Sequence, residues 1–203
     1  MKLYGMAMPA PNPRRVRMFL AEKGIDLPET QVDLMKREHK SAEHRARNSL
    51  GQIPTLELDD GTTISETVAI CRYFEEIQPE PALFGRTPVE KALVDQWVRR
   101  MEFVLMAPVA AFWRHAHPRT AALLTQFKDF GESNKEAYAG AQHWLDRELD
   151  GKTFIAGETF TVADICALST VDFASWIGLP ISPENANIAA WHARVSARPS
   201  ARV

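Results

Sequence analysis

The segment at residues 52–70 constrains the fold of this chain more than any other part. It reads Gln-Ile-Pro-Thr-Leu at 52–56 and, after a turn at 59–61, Ser-Glu-Thr-Val-Ala-Ile at 65–70. This pattern predicts a strand, a tight turn, a second short strand and then a helix. Because proline lacks an N–H and permits a cis bond, the strand after Pro54 can begin at a sharp bend.

The two ends of this segment offer two different ways to hold a ligand. A bend at Pro54 would leave the N–H and C=O of Ile53 free to pair with an extended ligand, as in strand addition. The helix that follows opens with Ser65, Glu66 and Thr67, where free N–H groups and the helix dipole favour a bound carboxylate. A small peptide with a free carboxylate would match both features.

The segment resembles the glutathione-binding half of the glutathione transferases, with their cis-proline and their acidic-plus-hydroxyl pair on the third helix. Three further pieces follow the order of that family. Lys-Leu-Tyr-Gly at 2–5 and the run from Pro-Asn-Pro to Ala-Glu-Lys-Gly at 11–24 are similar to its first strand and helix. Phe-Ile-Ala-Gly at 154–157 and Phe-Thr-Val-Ala-Asp-Ile at 160–165 are similar to its second-domain signature. The resemblance therefore extends over nearly all 203 residues.

The remaining patterns predict two domains. Residues 1–78 follow a β-α-β-α-β-β-α order, which predicts an α/β thioredoxin-like domain with a mixed sheet. Its strands are expected at 3–6, 31–34, 55–58 and 63–64, and its helices at 12–24, 43–47 and 65–77. The first of these helices is expected to have Asn12 as N-cap, Pro13 as first residue and Gly24 as its end.

Residues 79–87 are expected to form a linker and residues 88–203 an all-α domain. A capping box, Thr-Pro-Val-Glu at 87–90, begins the first helix of that domain. This helix is expected to reach residue 115 with a bend at Pro108. Further helices are expected at 121–149, from a second capping start at 161–164, and at 186–197.

Composition excludes several classes of function. The net charge is −2 and no basic stripe is interleaved with aromatic residues, so no nucleic-acid partner is expected. No apolar stretch reaches the ~20 residues that span a bilayer, and the first residues enter a strand pattern rather than a signal peptide. Cys71 and Cys166 lie in apolar helical patterns and are expected to be reduced core residues. We therefore expect a soluble, cytoplasmic protein.

The resemblance implies a set of glutathione-binding residues. Glu66 and Thr67 would hold the γ-glutamyl end, and the backbone of Ile53, placed by Pro54, would pair with the cysteinyl unit. Gln52 lies beside this bend. In the basic run 36–40, Lys40, with His39 as a second candidate, matches the region that meets the glycyl carboxylate.

A glutathione transferase must also stabilise a thiolate. Lowering a thiol pKa from ~8.5 by about two units requires ~2.7 kcal/mol. A helix N-terminus supplies ~0.3–1 kcal/mol, and up to ~2 in favourable geometry, whereas a charge-assisted hydrogen bond adds ~1.5–3 kcal/mol. One good donor is therefore expected. Most members of the family use a Tyr, Ser or Cys, but Ala10 stands where a serine or cysteine would be.

Several groups could replace the missing donor. Asn12 could donate its side-chain amide, although it could instead cap the helix at the Arg15 N–H. Tyr4 is a further candidate, but it lies earlier than the family's tyrosine. An atypical branch of the family uses a water held by polar groups of its helical domain, including a histidine, and His115 and His117 resemble that site. We prefer His115. We expect no metal there, because residues two apart on a helix do not face the same way.

The resemblance implies a homodimeric glutathione transferase with a role in detoxification. Glutathione would be a co-substrate, with no further cofactor, and its sulfur would attack a small hydrophobic electrophile. The electrophile pocket would be lined by Met8, Pro9, Phe112 and Trp113, with parts of Phe103 and Met106. Two alternatives stay open: a glutathione-binding or regulatory transferase-like protein that has no activity, and a glutathione-dependent peroxidase.

Overall fold

The computed structural model describes residues 1–7 and 10–203. Contacts divide the chain into two compact units, Met1–Leu83 together with Pro199–Val203, and Phe84–Arg198. The sequence had assigned every residue after 87 to the helical domain. The last five residues instead pack with the first unit, where the Arg14 guanidinium donates to the carbonyl of Ala201 at 2.8 Å.

The first unit is built on a four-stranded mixed sheet, which confirms the thioredoxin-like prediction. The sheet order is β2-β1-β3-β4, with β1 and β2 parallel and the other two pairs antiparallel. The strands are β1 (Lys2–Gly5), β2 (Glu29–Gln31), β3 (Thr55–Glu57) and β4 (Thr63–Ser65). The helices are α1 (Pro11–Lys23), α2 (Ala42–Arg47) and α3 (Thr67–Ile77), with 3₁₀ turns at Glu38–Lys40 and Pro199–Arg202.

Two boundaries in this unit differ from the prediction. The second strand was expected at 31–34 but ends at Gln31, because the Asp33 carboxylate accepts the N–H groups of Met35 and Lys36 and closes a turn there. The first helix begins at Pro11, and its N-cap, Ala10, makes no side-chain cap bond. Asn12 is therefore inside the first turn, and its predicted role as N-cap is wrong. Pro11 takes the first helical position, where proline needs no N–H partner.

The end of α1 is held by a buried lysine. Lys23 lies one residue before Gly24, which has a φ of 65° and ends the helix as predicted. The Lys23 ammonium donates to the carbonyls of Gln78 at 2.8 Å and Pro81 at 2.6 Å, and pairs with the Glu75 carboxylate at 2.6 Å. Three acceptors match the three donors of an ammonium, so the buried charge is satisfied.

The second unit consists of helices, as predicted. They are α4 (Pro88–Arg100), a π-helical segment (Met101–Met106), α5 (Ala107–His115), a 3₁₀ turn (Pro118–Thr120), α6 (Lys128–Glu148), α7 (Val162–Trp176) and α8 (Ala186–Ser196). Almost every residue of α7 is buried, so it is the central helix of this unit. No helix among the described residues is long and apolar enough to cross a bilayer.

Two predicted helices of this unit were inaccurate. The helix expected from 87 to 115 is interrupted by the π-helical segment, directly before Pro108, which cannot donate a helical hydrogen bond. The helix expected from 121 begins only at Lys128. The Thr120 hydroxyl donates to the carbonyl of Trp113 at 2.6 Å, and the Gln126 amide donates to the carbonyl of His117 at 2.9 Å. These bonds hold the intervening residues in a loop.

Both predicted capping starts of this unit are present. The Thr87 hydroxyl accepts the Glu90 N–H at 3.2 Å, and the Glu90 carboxylate accepts the Thr87 N–H at 3.1 Å. The Asp164 carboxylate accepts the N–H of Thr161 at 2.9 Å. These starts were predictable because every group involved lies within one helical turn.

Candidate active site

Strand register brings the predicted glutathione residues of the first unit to one edge of the sheet. Thr55 pairs with Ser65 in the antiparallel pair β3–β4. The residue before Thr55 and the residue after Ser65 are Pro54 and Glu66, so the bend and the start of α3 face each other across neighbouring strands. Thr55 also pairs with Tyr4, and the loop that follows β1 therefore leaves the sheet at the same edge.

The bend before β3 is held by the carbonyl of Gln52. The Asn48 amide donates to this oxygen at 3.0 Å and the Thr55 hydroxyl at 3.3 Å, while His44 Nε2 lies 2.8 Å away. Asn48, His44 and Thr55 are all buried. Sequence reasoning missed these three supporting residues, and the short polar residues on either side of the bend are the signal that could have indicated them.

The backbone of Ile53 is available for a ligand. The Ile53–Pro54 bond is cis. Within the described part of the chain, neither the N–H nor the C=O of Ile53 has a hydrogen-bond partner. Thr55, two residues later, is the first residue of β3 and already belongs to the β1–β3 ladder. Ile53 therefore presents the free donor and acceptor that strand-like pairing requires.

The start of α3 has an unusual backbone conformation. Its N-cap is Glu66, with φ 69° and ψ 121°, and the Glu66 side chain is exposed. A positive φ is uncommon outside glycine and costs about 1–3 kcal/mol, so such residues cluster at functional sites. In the described residues, the N–H groups of Thr67 and Val68 have no partner. Free donors, a helix dipole and an adjacent carboxylate thus meet at one point.

Lys40 and His39 lie beside the Gln52 bend. The Lys40 ammonium donates to the carbonyls of Leu50 at 3.0 Å and Gly51 at 2.7 Å, so it fixes the loop that leads into the bend. Burial and the neighbouring charge of Lys40 lower the pKa of His39, which favours a neutral imidazole at neutral pH. Of this pair, Lys40 carries the positive charge that could face a carboxylate.

The start of α1 offers few groups to a thiol. Pro11 and Pro13 have no N–H, and the N–H of Arg14 already donates to the carbonyl of Ala10 at 3.4 Å. Asn12 is half-buried, and neither its N–H nor its side-chain amide has a partner among the described residues. Asn12 is therefore the donor that this end of the helix offers.

Tyr4 is engaged elsewhere. The Arg47 guanidinium lies 4.4 Å from the centre of the Tyr4 ring. Burial and a hydrogen bond to Glu57 raise the pKa of the Tyr4 phenol, and that bond correspondingly lowers the pKa of the Glu57 carboxyl. The phenol is thus a protonated partner of Glu57. These contacts favour a structural role for Tyr4 over a role at the thiol.

In the second unit, His115 ends α5 and lies between two aromatic rings. Its ring centre is 5.6 Å from that of Phe127 and 5.4 Å from that of Phe130, and its Nδ1 accepts the Phe127 N–H at 3.4 Å. With Nδ1 as acceptor, Nε2 carries the proton and is the donor that His115 offers. His117 differs: burial and the charge of Arg119 lower its pKa.

The structure describes the aromatic part of the predicted electrophile pocket. Met8 and Pro9 lie outside the described residues. Phe112 is buried, and Trp113 is half-buried with its ring centre 5.3 Å from that of Phe173. Phe103 is 70% exposed and lines a groove of about 520 Å³ between the π-helical segment, α5 and α6, a groove that neither Phe112 nor Trp113 lines. Phe103 and the two later aromatic residues thus belong to different surfaces of this unit.

Comparison with known proteins identifies the family. The family described as Glutathione S-transferase, N-terminal domain, matches residues 10–77, and Glutathione S-transferase, C-terminal domain, matches residues 109–199. Glutathione S-transferase 2 of Saccharomyces cerevisiae is 35% identical over 196 residues, which are 95% of this chain and 84% of the relative. Glutathione S-transferase F11 of Arabidopsis thaliana is 30% identical over 98% of this chain and 94% of its own length.

Solved structures agree with the sequence comparison. Gtt2 from Saccharomyces cerevisiae superposes with a TM-score of 0.94 at 34% identity, covering 100% of this chain and 99% of its own. A glutathione S-transferase domain-containing protein from Marinobacter aquaeolei VT8 gives a TM-score of 0.92 at 38% identity, covering 98% and 99%. With the bend at Pro54, the start of α3 and these similarities together, the chain belongs to the glutathione S-transferase family and is an enzyme of that class.

Proposed function

We propose that the sheet edge of the first unit binds glutathione and that the enzyme directs the glutathione sulfur onto a small hydrophobic electrophile. This proposal rests on two groups of backbone atoms at that edge that have no hydrogen-bond partner among the described residues. They are the N–H and C=O of Ile53 and the N–H groups of Thr67 and Val68. An extended tripeptide can use both at once. Family membership supports glutathione as the ligand, and the two groups of backbone atoms support the orientation proposed for it.

The charges at this edge suit the two ends of glutathione. The γ-glutamyl carboxylate would accept from the N–H groups of Thr67 and Val68, and its α-amine would pair with the Glu66 carboxylate. The cysteinyl backbone would pair with Ile53 in the manner of an added strand. The glycyl carboxylate would lie near Lys40, with Gln52 alongside.

The reaction joins the glutathione sulfur to an electrophilic atom. The thiol loses its proton to solvent, the thiolate sulfur forms a bond to the electrophile, and the leaving group departs with its electron pair or the addition product is protonated. This step is redox-neutral and balances with glutathione as a co-substrate. Conjugation of small hydrophobic electrophiles in the cytoplasm, and hence detoxification, is the role we infer.

Two groups are proposed to stabilise the thiolate. The first is Asn12, through its N–H or its side-chain amide at the positive end of α1. The second is His115, through Nε2–H, either directly or by holding a water. Each hydrogen bond to a charged sulfur would supply ~1.5–3 kcal/mol, which is the range that the required fall in pKa demands.

Binding is tested by calorimetric titration with glutathione. Glu66→Gln keeps the size of the side chain but removes its charge, so the Kd for glutathione should rise about ten- to hundredfold. Glu76→Gln is the matched control, because Glu76 is exposed on the same helix. Equal affinities for the two variants would contradict the assigned ligand orientation.

Activation is tested by the ultraviolet absorbance of the bound thiolate against pH. The bound thiol should titrate well below free glutathione in the wild type, and His115→Ala should move the midpoint upward by about one unit. A lowered midpoint that His115→Ala leaves unchanged would exclude His115 and point to Asn12, Tyr4 or backbone donors near the first helix. An unshifted midpoint in the wild type, with tight binding, would contradict thiol activation itself.

We further propose that the groove of the second unit holds a second copy of the chain. Phe103 and Phe130 are 70% and 55% exposed on its rims, and its floor consists of the small residues Ala107, Ala111, Ala137 and Gly140. No charged residue lines it among those described. A face that carries both large protruding rings and a small-residue floor is complementary to itself, as a two-fold interface requires.

The oligomeric state tests this interface. Sedimentation of the wild type should give a dimer, and Phe103→Asp, which would bury a charge in the contact, should give a monomer. Val89→Asp is the control, since Val89 is exposed on the first turn of α4 outside the groove. A dimer that Phe103→Asp leaves intact would place the interface on another face.

A further inference from the structure

Two side chains of the first unit, Arg17 and Gln31, hold the backbone directly after β1, and a third, Glu29, holds Arg17. The Arg17 guanidinium donates to the carbonyl of Met6 at 3.0 Å and to the Glu29 carboxylate at 3.1 Å. The Gln31 side-chain oxygen accepts the N–H of Ala7 at 2.8 Å. Two consecutive residues of this loop are therefore tied to α1 and to β2, and not to the strand that precedes them.

The ion pair in this arrangement is sheltered. The side chains of Arg17 and Glu29 are each 17% exposed, so solvent screens their attraction less than at an open surface. The strand also makes room for the carboxylate. A Cβ atom on Gly5 would lie 2.4 Å from the Glu29 oxygen that Arg17 contacts, so glycine at this position lets the carboxylate lie against β1.

The position of this loop matters more here than in a transferase that has a hydroxyl donor. Ala10 supplies no side-chain donor, and the prolines at 11 and 13 remove two backbone donors from the start of α1. The remaining donor, Asn12, follows the loop. Hydrogen bonds weaken steeply with a few tenths of an ångström or with poor angles, so a single donor at the start of α1 depends on how precisely α1 is held against the sheet.

We propose that Arg17, Glu29 and Gln31 form a brace of positioning residues that holds Met6 and Ala7 and, through Arg17, ties α1 to β2, and that this sets the start of α1 for stabilising the glutathione thiolate. This proposal rests on the proposed function. The brace also borders a cavity of about 430 Å³, lined in part by Met6, Ala7 and Gln31. A shift of the loop would therefore change the walls of this cavity as well as the donor at α1.

The test compares Gln31→Ala and Arg17→Met with the control Thr30→Ala. Gln31 and Thr30 are both exposed neighbours on β2, but the Thr30 side chain makes no hydrogen bond to Met6 or Ala7, the two residues of the loop that the brace holds. Three quantities are measured: the thiolate titration midpoint of bound glutathione, the Kd for S-methylglutathione, which has no thiol to ionise, and the thermal unfolding midpoint. Arg17→Lys keeps the charge and one donor group, so it reports on rescue.

Both brace variants should raise the thiolate midpoint by about 0.5–1 unit, a three- to tenfold loss of thiolate at a fixed pH below the midpoint. Their Kd for S-methylglutathione should stay within about twofold of the wild type, and Arg17→Lys should recover part of the shift. Thr30→Ala should change none of the three.

Two results would overturn the brace. An unchanged thiolate midpoint in Gln31→Ala and Arg17→Met would show that the loop does not set the donor. Equal losses of thiolate and of S-methylglutathione affinity would show general damage to the site. Failure of the wild type to bind glutathione or S-methylglutathione would instead overturn the proposed function. This result differs from failure of the brace because it would be seen before any substitution is made.

Discussion

The buried carboxylate of Asp164 should control the stability of the second unit. Its side chain is fully buried. One oxygen accepts the Ile155 N–H and the Trp191 indole N–H, both at 2.9 Å. The other accepts the Thr161 N–H at 2.9 Å and the Thr161 hydroxyl at 3.2 Å. Three elements of the unit, the loop before α7, α7 itself and α8, thus converge on this carboxylate.

Replacement by alanine and by asparagine should have different effects. Asp164→Ala strands three buried N–H donors at about 1–3 kcal/mol each. Because water entering the vacated volume satisfies part of them, we expect a loss of about 3–5 kcal/mol. Asp164→Asn keeps an acceptor for Ile155 and Trp191 and turns an NH₂ toward the Thr161 N–H, so we expect about 1–3 kcal/mol. Urea unfolding gives these differences, with Asp150→Asn, an exposed site, as control.

The pH dependence has an uncommon sign for an aspartate. Burial raises the pKa of Asp164 to about 6 from 3.8. A group whose pKa is higher in the folded state binds its proton more tightly there. Its contribution to the free energy of unfolding is therefore complete below the unfolded value and is lost as the pH rises through the folded one. The cost of Asp164→Asn should grow by up to about 3 kcal/mol as the pH falls from about 7 to about 4.

Two outcomes would refute this reasoning. If the cost of Asp164→Asn increased with rising pH, the four donors would outweigh burial, and the folded pKa would lie below its ordinary value. If Asp164→Ala cost no more than Asp150→Asn, the convergent hydrogen bonds would contribute nothing to stability.

Two further substitutions should destabilise the fold, one by leaving buried polar groups unpaired and one by overpacking. Lys23→Met leaves the Glu75 carboxylate and two carbonyls buried without the ammonium that they contact, so it should lower the free energy of unfolding in urea by about 3–5 kcal/mol. Lys91→Met, on the exposed face of α4, is the control and should change this free energy by less than about 0.5 kcal/mol. A Cβ on Gly131 would lie 2.6 Å from backbone at the end of α5, so Gly131→Ala should cost about 1–3 kcal/mol, despite the better helix propensity of alanine. A Cβ on Gly140, on the same helix, meets no atom within 4 Å of its own chain. Because Gly140 lies in the groove proposed to hold a second copy, both glycine substitutions are compared in the Phe103→Asp background, where Gly140→Ala should raise the thermal midpoint. Equal effects of the two glycine substitutions would disprove the close contact.

The sequence predicts well those parts of the fold that depend on interactions between residues close together in the chain. The starts at Thr87 and Thr161 and the end at Gly24 involve groups one turn apart, and all three are correct. The start of α1 was misplaced by two residues because Pro11 and Pro13 satisfy the same local preference. The late start of α6 depends on Gln126 and its bond to a loop carbonyl nine residues away, which no local pattern contains.

The same distinction separates what was and was not predictable at the site. The residues that the sequence identified there, such as Glu66 and Lys40, are recognised by side-chain type. The positive φ of Glu66 and the support of the Gln52 carbonyl by Asn48 were not predicted, because both are set by contacts between strands and loops. Residue types can suggest which groups reach a ligand, but they do not reveal the backbone conformation that orients those groups.

In the proposed pose, this difference accounts for glutathione binding by a chain that has Ala10 where the resemblance implies a hydroxyl or thiol. Much of what the sheet edge offers to a peptide is backbone: the N–H and C=O of Ile53, the N–H groups that open α3, and the N–H of Asn12. A backbone donor is retained whichever side chain stands there, apart from proline, so the replacement of one side-chain donor by Ala10 removes a single contribution of ~1.5–3 kcal/mol and not the site. Binding then depends more strongly on the residues that hold this backbone in place. Side chains such as Asn48, which touch no ligand in the proposed pose, should therefore tolerate substitution less well than an exposed contact residue such as Gln52.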